Sequence, residues 1–440
     1  MLFTIFVCCL ALYVACNLGA NDVANSMGTS VGSKAVTLKQ AIVIAGVLEF
    51  TGAVLFGRQV SSTLATSIAN PDLFVSQPQT LLLGMIAVLI SCGLWLQIAT
   101  AKNLPVASSH AVVGAIAGFS WVAAGSQAVK WSALGSISLA WVVTPVVSAS
   151  VAAGFYLLIK RWILQQDKPL IQLEQWMPWL SLILVSVFGV IVLPTVVETI
   201  PLDFLPDVPR HDFSLGLGGM AALSITLVGW RRLANESIAI ESATSAKTQE
   251  VVERQLARFQ LLSACCVAFA HGSNDVGNAI APLATILYIQ STSTVPQSSL
   301  EIPMWVLVLG GVGIVTGLAI WGKQVIATIG EGIIKLEPSS GFAAELATAA
   351  TILIASSYGL PVSTSHALVG AVVGVGVIKN WRDVSLSTLR SIGLAWIVTI
   401  PISNLLSAGI FTMLRYFTTF PFDRSPSLVN HLESIFHRLI

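Results

Sequence analysis

Charge is what this chain has least of. Only 10% of its 440 residues are Asp, Glu, Lys or Arg, against about 25% in soluble domains, so a soluble globular fold is excluded. The net charge is +1 and no basic run occurs, which argues against nucleic acid as a partner. The six cysteines include the adjacent pairs Cys8-Cys9 and Cys265-Cys266 but no Cys-x-x-Cys spacing, so neither a metal nor a disulfide framework is indicated. No Gly-x-x-x-x-Gly-Lys-Ser/Thr stretch exists, which disfavours ATP-driven work. His110 and His366 lie beside serines, but no acid sits at a local spacing that would orient them, which speaks against a hydrolytic enzyme. The N-terminal apolar stretch lacks a positive n-region and reads as a mature membrane segment, not a cleaved leader.

Apolar residues are abundant: 55% of the chain is hydrophobic, with a mean hydropathy of +0.83. Stretches near the roughly 20 residues that cross a bilayer fall at about 2–31, 41–56, 81–100, 111–124, 131–159, 179–197 and 215–230, and recur in the second half. The expectation is an all-α polytopic membrane protein of about 10–12 membrane segments. The lipid bilayer is its surroundings. The twelve tryptophans, several near segment ends, read as interfacial anchors.

The chain repeats itself. Gly19-Ala-Asn21-Asp22-Val-Ala-Asn25 returns as Gly272-Ser-Asn274-Asp275-Val-Gly-Asn278, and Pro105-Val-Ala-Ser108-Ser109-His110 returns as Pro361-Val-Ser-Thr364-Ser365-His366. Gly46 to Val60 is echoed by Gly311 to Val325, and Leu139-Ala-Trp141 by Leu394-Ala-Trp396. Four landmarks in one order divide the chain into a first repeat (1–160), linker spans with a polar loop (161–258), a second repeat (259–415) and a C-terminal tail (416–440). An acidic loop holding Asp203, Asp207 and Asp212 separates the two linker spans.

Counting crossings gives an odd number between the copies, so the repeats are expected to have inverted topology. Such repeats, with broken helices or re-entrant hairpins meeting at mid-depth, mark many secondary transporters. The glycines of 2–31 suggest that its helix breaks at the Asn-Asp motif. With the N-terminus outside, Lys34, Lys39, Lys160, Arg161, Lys168, Arg231, Arg232, Lys247, Arg254, Arg258, Lys323, Lys335, Lys379 and Arg382 fall inside. Arg58, Lys130, Arg210, Arg415, Arg424 and Arg438 fall outside, with Lys102, near a hairpin tip, and Arg390 assigned to neither side. The positive-inside rule therefore places both termini outside a cell (plasma or inner) membrane.

The motifs carry hard-oxygen chemistry. Asn21 and Asn25 share a helix face. With Asp22, and with carbonyls freed at a helix break, they suit Na+, or H+ on the acid. Asn274, Asp275 and Asn278 repeat the set. A helix-packing Asp-Asn pair is the alternative for one copy; two copies weigh against it. The Pro-x-x-Ser/Thr-Ser-His elements end one helix and cap another, leaving N–H groups and hydroxyls for an anion. His110 and His366 read as hydrogen-bonding anchors behind that site. Glu49 and Glu345 lie in apolar segments and have no acidic counterpart in the other repeat (Ile314 and Leu89). Each is a candidate for ion coupling or gating.

On these motifs the chain resembles the inorganic phosphate transporter (PiT) family, over both repeats. The resemblance implies an Na+-coupled symporter of inorganic phosphate working by alternating access. Asn21, Asp22, Asn274 and Asp275 would be cation ligands, and Ser108, Ser109, Thr364 and Ser365, with Asn25 and Asn278, would hold phosphate. Glu49 and Glu345 sit where sodium-coupled members also carry glutamates, and Gly28-Thr-Ser-Val-Gly-Ser33 is closer to those members than to proton-coupled ones. Two departures are the lack of the large central loop of animal members and Met85 where they carry a further glutamate. A homodimer follows from resemblance alone. Proton-coupled phosphate transport, or a sulfate permease of the same fold, stands as the alternative. A receptor or scaffold would need larger extramembrane domains than the short loops allow.

Overall fold

The structure, a computed structural model, describes residues 1–102, 104, 106–199, 209–238, 245–297, 299–329 and 333–419, apart from the side chains of 198–199, 210, 237–238, 245–246, 323–329 and 419. Pro105, Asp203, Asp207, Arg424, Arg438 and the tail beyond 419 lie outside the described residues, as do the side chains of Arg210 and Lys323.

Fourteen α-helices make up the described chain. They are α1 (Leu2–Gly32), α2 (Leu38–Phe56), α3 (Arg58–Thr66), α4 (Pro78–Ala101), α5 (Ser108–Ala124), α6 (Trp131–Ile159) and α7 (Pro169–Gly189). The others are α8 (Val192–Thr199), α9 (Arg210–Ile238), α10 (Ser245–Thr292), α11 (Met304–Ile329), α12 (Pro338–Ser357), α13 (Thr364–Asn380) and α14 (Leu386–Thr419). Nine of them (α1, α2, α4, α6, α7, α9, α11, α12 and α14) are long and apolar enough to cross a bilayer. With 48 residues, α10 is longer still, at about 1.5 Å per residue, but His271 to Asn278 interrupt its apolar run. The shorter α5 and α13 pair with α4 and α12 as two helical hairpins. Side chains such as Ile397 and Leu405 are 72% and 71% exposed, an exposure that suits lipid and not water. The chain is a multi-pass membrane protein.

Packing follows the repeat. α1 lies against α11 as α10 lies against α2, α5 packs on α14 as α13 packs on α6, and α1 and α10 meet each other. Each half therefore completes the other.

Two expectations need correction. α1 does not break at the Asn-Asp motif: it runs unbroken from Leu2 to Gly32, and α10 is equally continuous through its copy. Glycine serves a different purpose there. A Cβ on Gly19 would collide with the backbone of Ile314, and one on Gly272 with the backbone of Glu49, so these glycines let α11 and α2 approach closely. The interruptions in the repeats fall instead at the tips of the α4–α5 and α12–α13 hairpins. The first linker span also begins earlier than residue 179: α7 starts at Pro169, and α8 follows it after a short turn. Pro178 is absorbed within α7.

Candidate functional site

The site lies where the middles of α1 and α10 meet. Asn21, Asp22 and Asn25 on α1 and Asn274, Asp275 and Asn278 on α10 are all buried. The two motifs are tied to the hairpin tips in the same way. Asn21 Nδ2 donates to Thr100 Oγ1 at 3.1 Å and to the carbonyl of Leu104 at 3.4 Å. Asn274 Nδ2 donates to Ser356 Oγ at 2.9 Å and to the carbonyl of Leu360 at 3.2 Å. Carbonyls near the motifs thus come from the tips of the hairpins and not from breaks in α1 or α10.

The helix starts behind these tips carry the hydroxyls. Ser108 and Ser109 open α5, and Thr364 and Ser365 open α13. Ser363, one residue before Thr364, is the true cap of α13 and accepts from the His366 N–H at 3.2 Å. Ala107 caps α5 without any side-chain bond, so no cap side chain accepts from the first-turn N–H groups of α5. Thr364 Oγ1 donates to Asp275 Oδ2 at 3.0 Å, and Asn278 Nδ2 donates across the repeats to Ser108 Oγ at 3.3 Å. Asn25 Nδ2 donates to Asp22 Oδ1 at 3.2 Å.

His110 and His366 stand directly behind this first turn. Each sets its Nδ1 against a backbone carbonyl of the opposite half, His110 on Trp396 at 3.3 Å and His366 on Trp141 at 2.9 Å. The rings meet edge to face with centroids 4.7 Å apart, and each lies over a tryptophan, Trp141 for His110 and Trp396 for His366. They anchor the two helix starts.

One residue of the site was not singled out from the sequence: His271, one turn before Asp275. Its Nε2 is 2.8 Å from Asp275 Oδ2 and its Nδ1 is 3.3 Å from Glu49 Oε1. Ligand atoms of Asp22, His271 and Asp275 all fall within 4.8 Å of one another. Glu49 accepts from Ser26 Oγ at 2.7 Å and so joins the site. A titratable residue inside an apolar run, four positions before an acid, was the available signal.

Glu345 does not join it. Its carboxylate is fully buried and accepts from Thr29 and Ser30 at 2.6 Å each, from Gln260 at 3.2 Å and from Ser263 at 2.9 Å. Thr29 lies seven residues beyond Asp22 along α1, so this cluster is about 10 Å further along the helix.

Several buried oxygens have no hydrogen-bond partner among the described residues: Asn21 Oδ1, Asp22 Oδ2, Glu49 Oε2, Asn274 Oδ1, Asp275 Oδ1 and Asn278 Oδ1. Unpaired buried acceptors are costly, at about 1–3 kcal/mol each. Their concentration around the two motifs suits a hard cation. The hydroxyls and helix starts next to them suit an oxyanion.

Comparison with known proteins identifies the family. Residues 18–407 match the phosphate transporter family. The chain is 38% identical over 428 residues to the inorganic phosphate transporter 2-1, chloroplastic, of Arabidopsis thaliana, which covers 92% of this chain and 71% of that protein. A solved structure described as the sodium-dependent phosphate transporter superposes with a TM-score of 0.84 at 36% identity, over 94% of this chain and 100% of that one.

Proposed function

Because the chain belongs to the phosphate transporter family, whose members are transporters and not enzymes, we propose that it imports inorganic phosphate by secondary active symport with Na+. In this reading the two repeats have inverted topology, both termini lie outside the cell membrane, and the site is exposed to either side by alternating access. The observation that carries it is the convergence of two buried aspartates with unpartnered amide oxygens, beside the helix starts of α5 and α13.

The electrostatics give the coupling. Two carboxylates as close as about 4.8 Å repel by about 3.5 kcal/mol at an effective dielectric of about 20, and a phosphate dianion beside them adds to this. Cations on Asn21, Asp22, Asn274 and Asp275 turn that repulsion into attraction. Phosphate then binds well only when Na+ is present. Ser108, Ser109, Thr364 and Ser365 donate to its oxygens, supported by the first-turn N–H groups and by the Asn25 and Asn278 amides. Phosphate still carrying a proton can donate to Asp22 Oδ2 or Asp275 Oδ1; sulfate has no proton to give. Glu345, held away from this site by hydroxyls, serves coupling through the α1–α10–α12 junction.

A second reading, the same transporter driven by protons, is favoured by one observation. His271 bridges Glu49 and Asp275, a chain able to hold and pass a proton. Uptake of labelled phosphate into proteoliposomes separates the two. A sodium gradient alone should drive accumulation that excess sulfate does not suppress. Accumulation driven by a proton gradient alone would overturn the ion assignment, and sulfate transport without phosphate transport would overturn the substrate.

A further inference from the structure

The helices that the repeats do not explain, α7 to α9, frame a groove against α10. At its polar end stand Arg232 on α9 and Gln255 and Arg258 on α10, which line a cavity of about 350 Å³. Among the described residues the guanidinium groups of Arg232, Arg254 and Arg258 gather here around the Glu236 carboxylate. Glu236 is 3.2 Å from Arg254 and 3.9 Å from Arg258, so among the described residues the cluster keeps an excess of positive charge. Gln255 is 2% exposed. Its Oε1 accepts from Arg258 Nη1 at 2.6 Å, while its Nε2 has no partner among the described residues. An amide donor beside two arginines is a donor set for phosphate oxygens.

The cavity changes character along the helices. Below the arginines Phe259 and Leu262 line it, and an apolar cavity of about 310 Å³ adjoins it through Ile225 and Leu262 and reaches Phe188. Trp230, on the same stretch of α9, is partly exposed and donates its indole N–H to the carbonyl of Glu174 at 2.9 Å, the placement expected of an interfacial anchor. A charged head group and a contiguous apolar slot at one membrane boundary fit an amphiphile with an acidic head.

We infer that the groove between α9 and α10 binds an anionic phospholipid, its phosphodiester held by Gln255, Arg232 and Arg258 and one acyl chain lying along Leu262 and Ile225. The lipid bridges the unrepeated helices to the helix that carries Asp275. A free phosphate ion would satisfy the polar end but leave the apolar slot unused.

The test is native mass spectrometry of the full chain, purified in a neutral detergent and titrated with phosphatidylglycerol, with phosphatidylcholine of the same chains, or with inorganic phosphate. The expected result is retention of phosphatidylglycerol at least tenfold over phosphatidylcholine, with no displacement by inorganic phosphate. The preference should fall to near one in the double variant Arg232→Gln, Arg258→Gln and in Gln255→Glu. Ala221→Phe, which narrows the apolar slot, should weaken both lipids. Thermal melts in the same detergent identify any variant that has lost its fold, and the wild-type comparison stands without the variants. Equal retention of the two lipids, competition by inorganic phosphate, or an undiminished preference in a folded Arg232→Gln, Arg258→Gln protein would each overturn the assignment.

Discussion

The two copies of the Asn-Asp motif are alike in how they are held and unlike in what stands next to them. Asn21 and Asn274 make the same pair of bonds, each to a hydroxyl and a carbonyl of a hairpin tip. Gly19 and Gly272 both press against the backbone of the helix from the other half. Around Asp275, however, stand His271 and Glu49, where the first copy has Leu18 and Ile314. Glu345, with its four donors, has Leu89 as its counterpart. The shared part suits a symmetric anion gripped from two sides. The unshared part is His271 and Glu49, with His271 reaching both Asp275 and the neighbourhood of Asp22, and Glu345 further along α1.

The comparison can be broken most completely by removing the shared acids. Asp22→Asn and Asp275→Asn should each reduce phosphate uptake to the background of empty proteoliposomes, because each removes one carboxylate from the cation set. A variant retaining more than a tenth of wild-type uptake would contradict equal roles. The packing should break nearly as severely. Gly272→Val drives side-chain carbons into the Glu49 backbone, an overpacking worth about 1–3 kcal/mol or more, and should lower the melting temperature in detergent, as should Gly19→Val. His271→Leu makes the second copy resemble the first. It should cut phosphate uptake about tenfold. Glu345→Gln replaces an acceptor-only carboxylate facing four donors with an amide. It should cost about 1–3 kcal/mol and raise the Na+ concentration for half-maximal uptake more than the phosphate KM. Ser109→Ala should have the smallest effect. It removes one hydroxyl without a partner among the described residues, worth about 0.5–1.5 kcal/mol, and a fewfold rise in phosphate KM is expected.

Much of this arrangement was legible in the residues. Asn21-Asp22 and Asn274-Asp275 declare themselves because carboxylates and amides in apolar segments are costly, and their recurrence with Ser108-Ser109 and Thr364-Ser365 pairs the four elements before any fold is known. Glycine was harder to read. Gly19 and Gly272 look like breaks in isolation; only the neighbouring backbone of Ile314 or Glu49 shows that they allow close contact. Ser363 caps α13, which starts at Thr364 just as α5 starts at the equivalent Ser108, so the paired hydroxyls of the motif sit in the first turn and not at the cap. His271 has no repeat partner, so the duplication that exposed the other residues hid it. The donors to Glu345 come from α1 and α10, more than 80 positions away in sequence, and no local pattern connects them.

The central claim is that Asp22 and Asp275 form one site in which a cation makes phosphate binding favourable. Equilibrium binding of labelled phosphate to the purified protein, measured as Na+ is raised at constant ionic strength, tests it most directly. Affinity should climb at least tenfold with Na+ in the wild type, and the climb should vanish in both Asp22→Asn and Asp275→Asn. Phosphate binding that ignores Na+, or a sodium dependence that survives the loss of either aspartate, would contradict it.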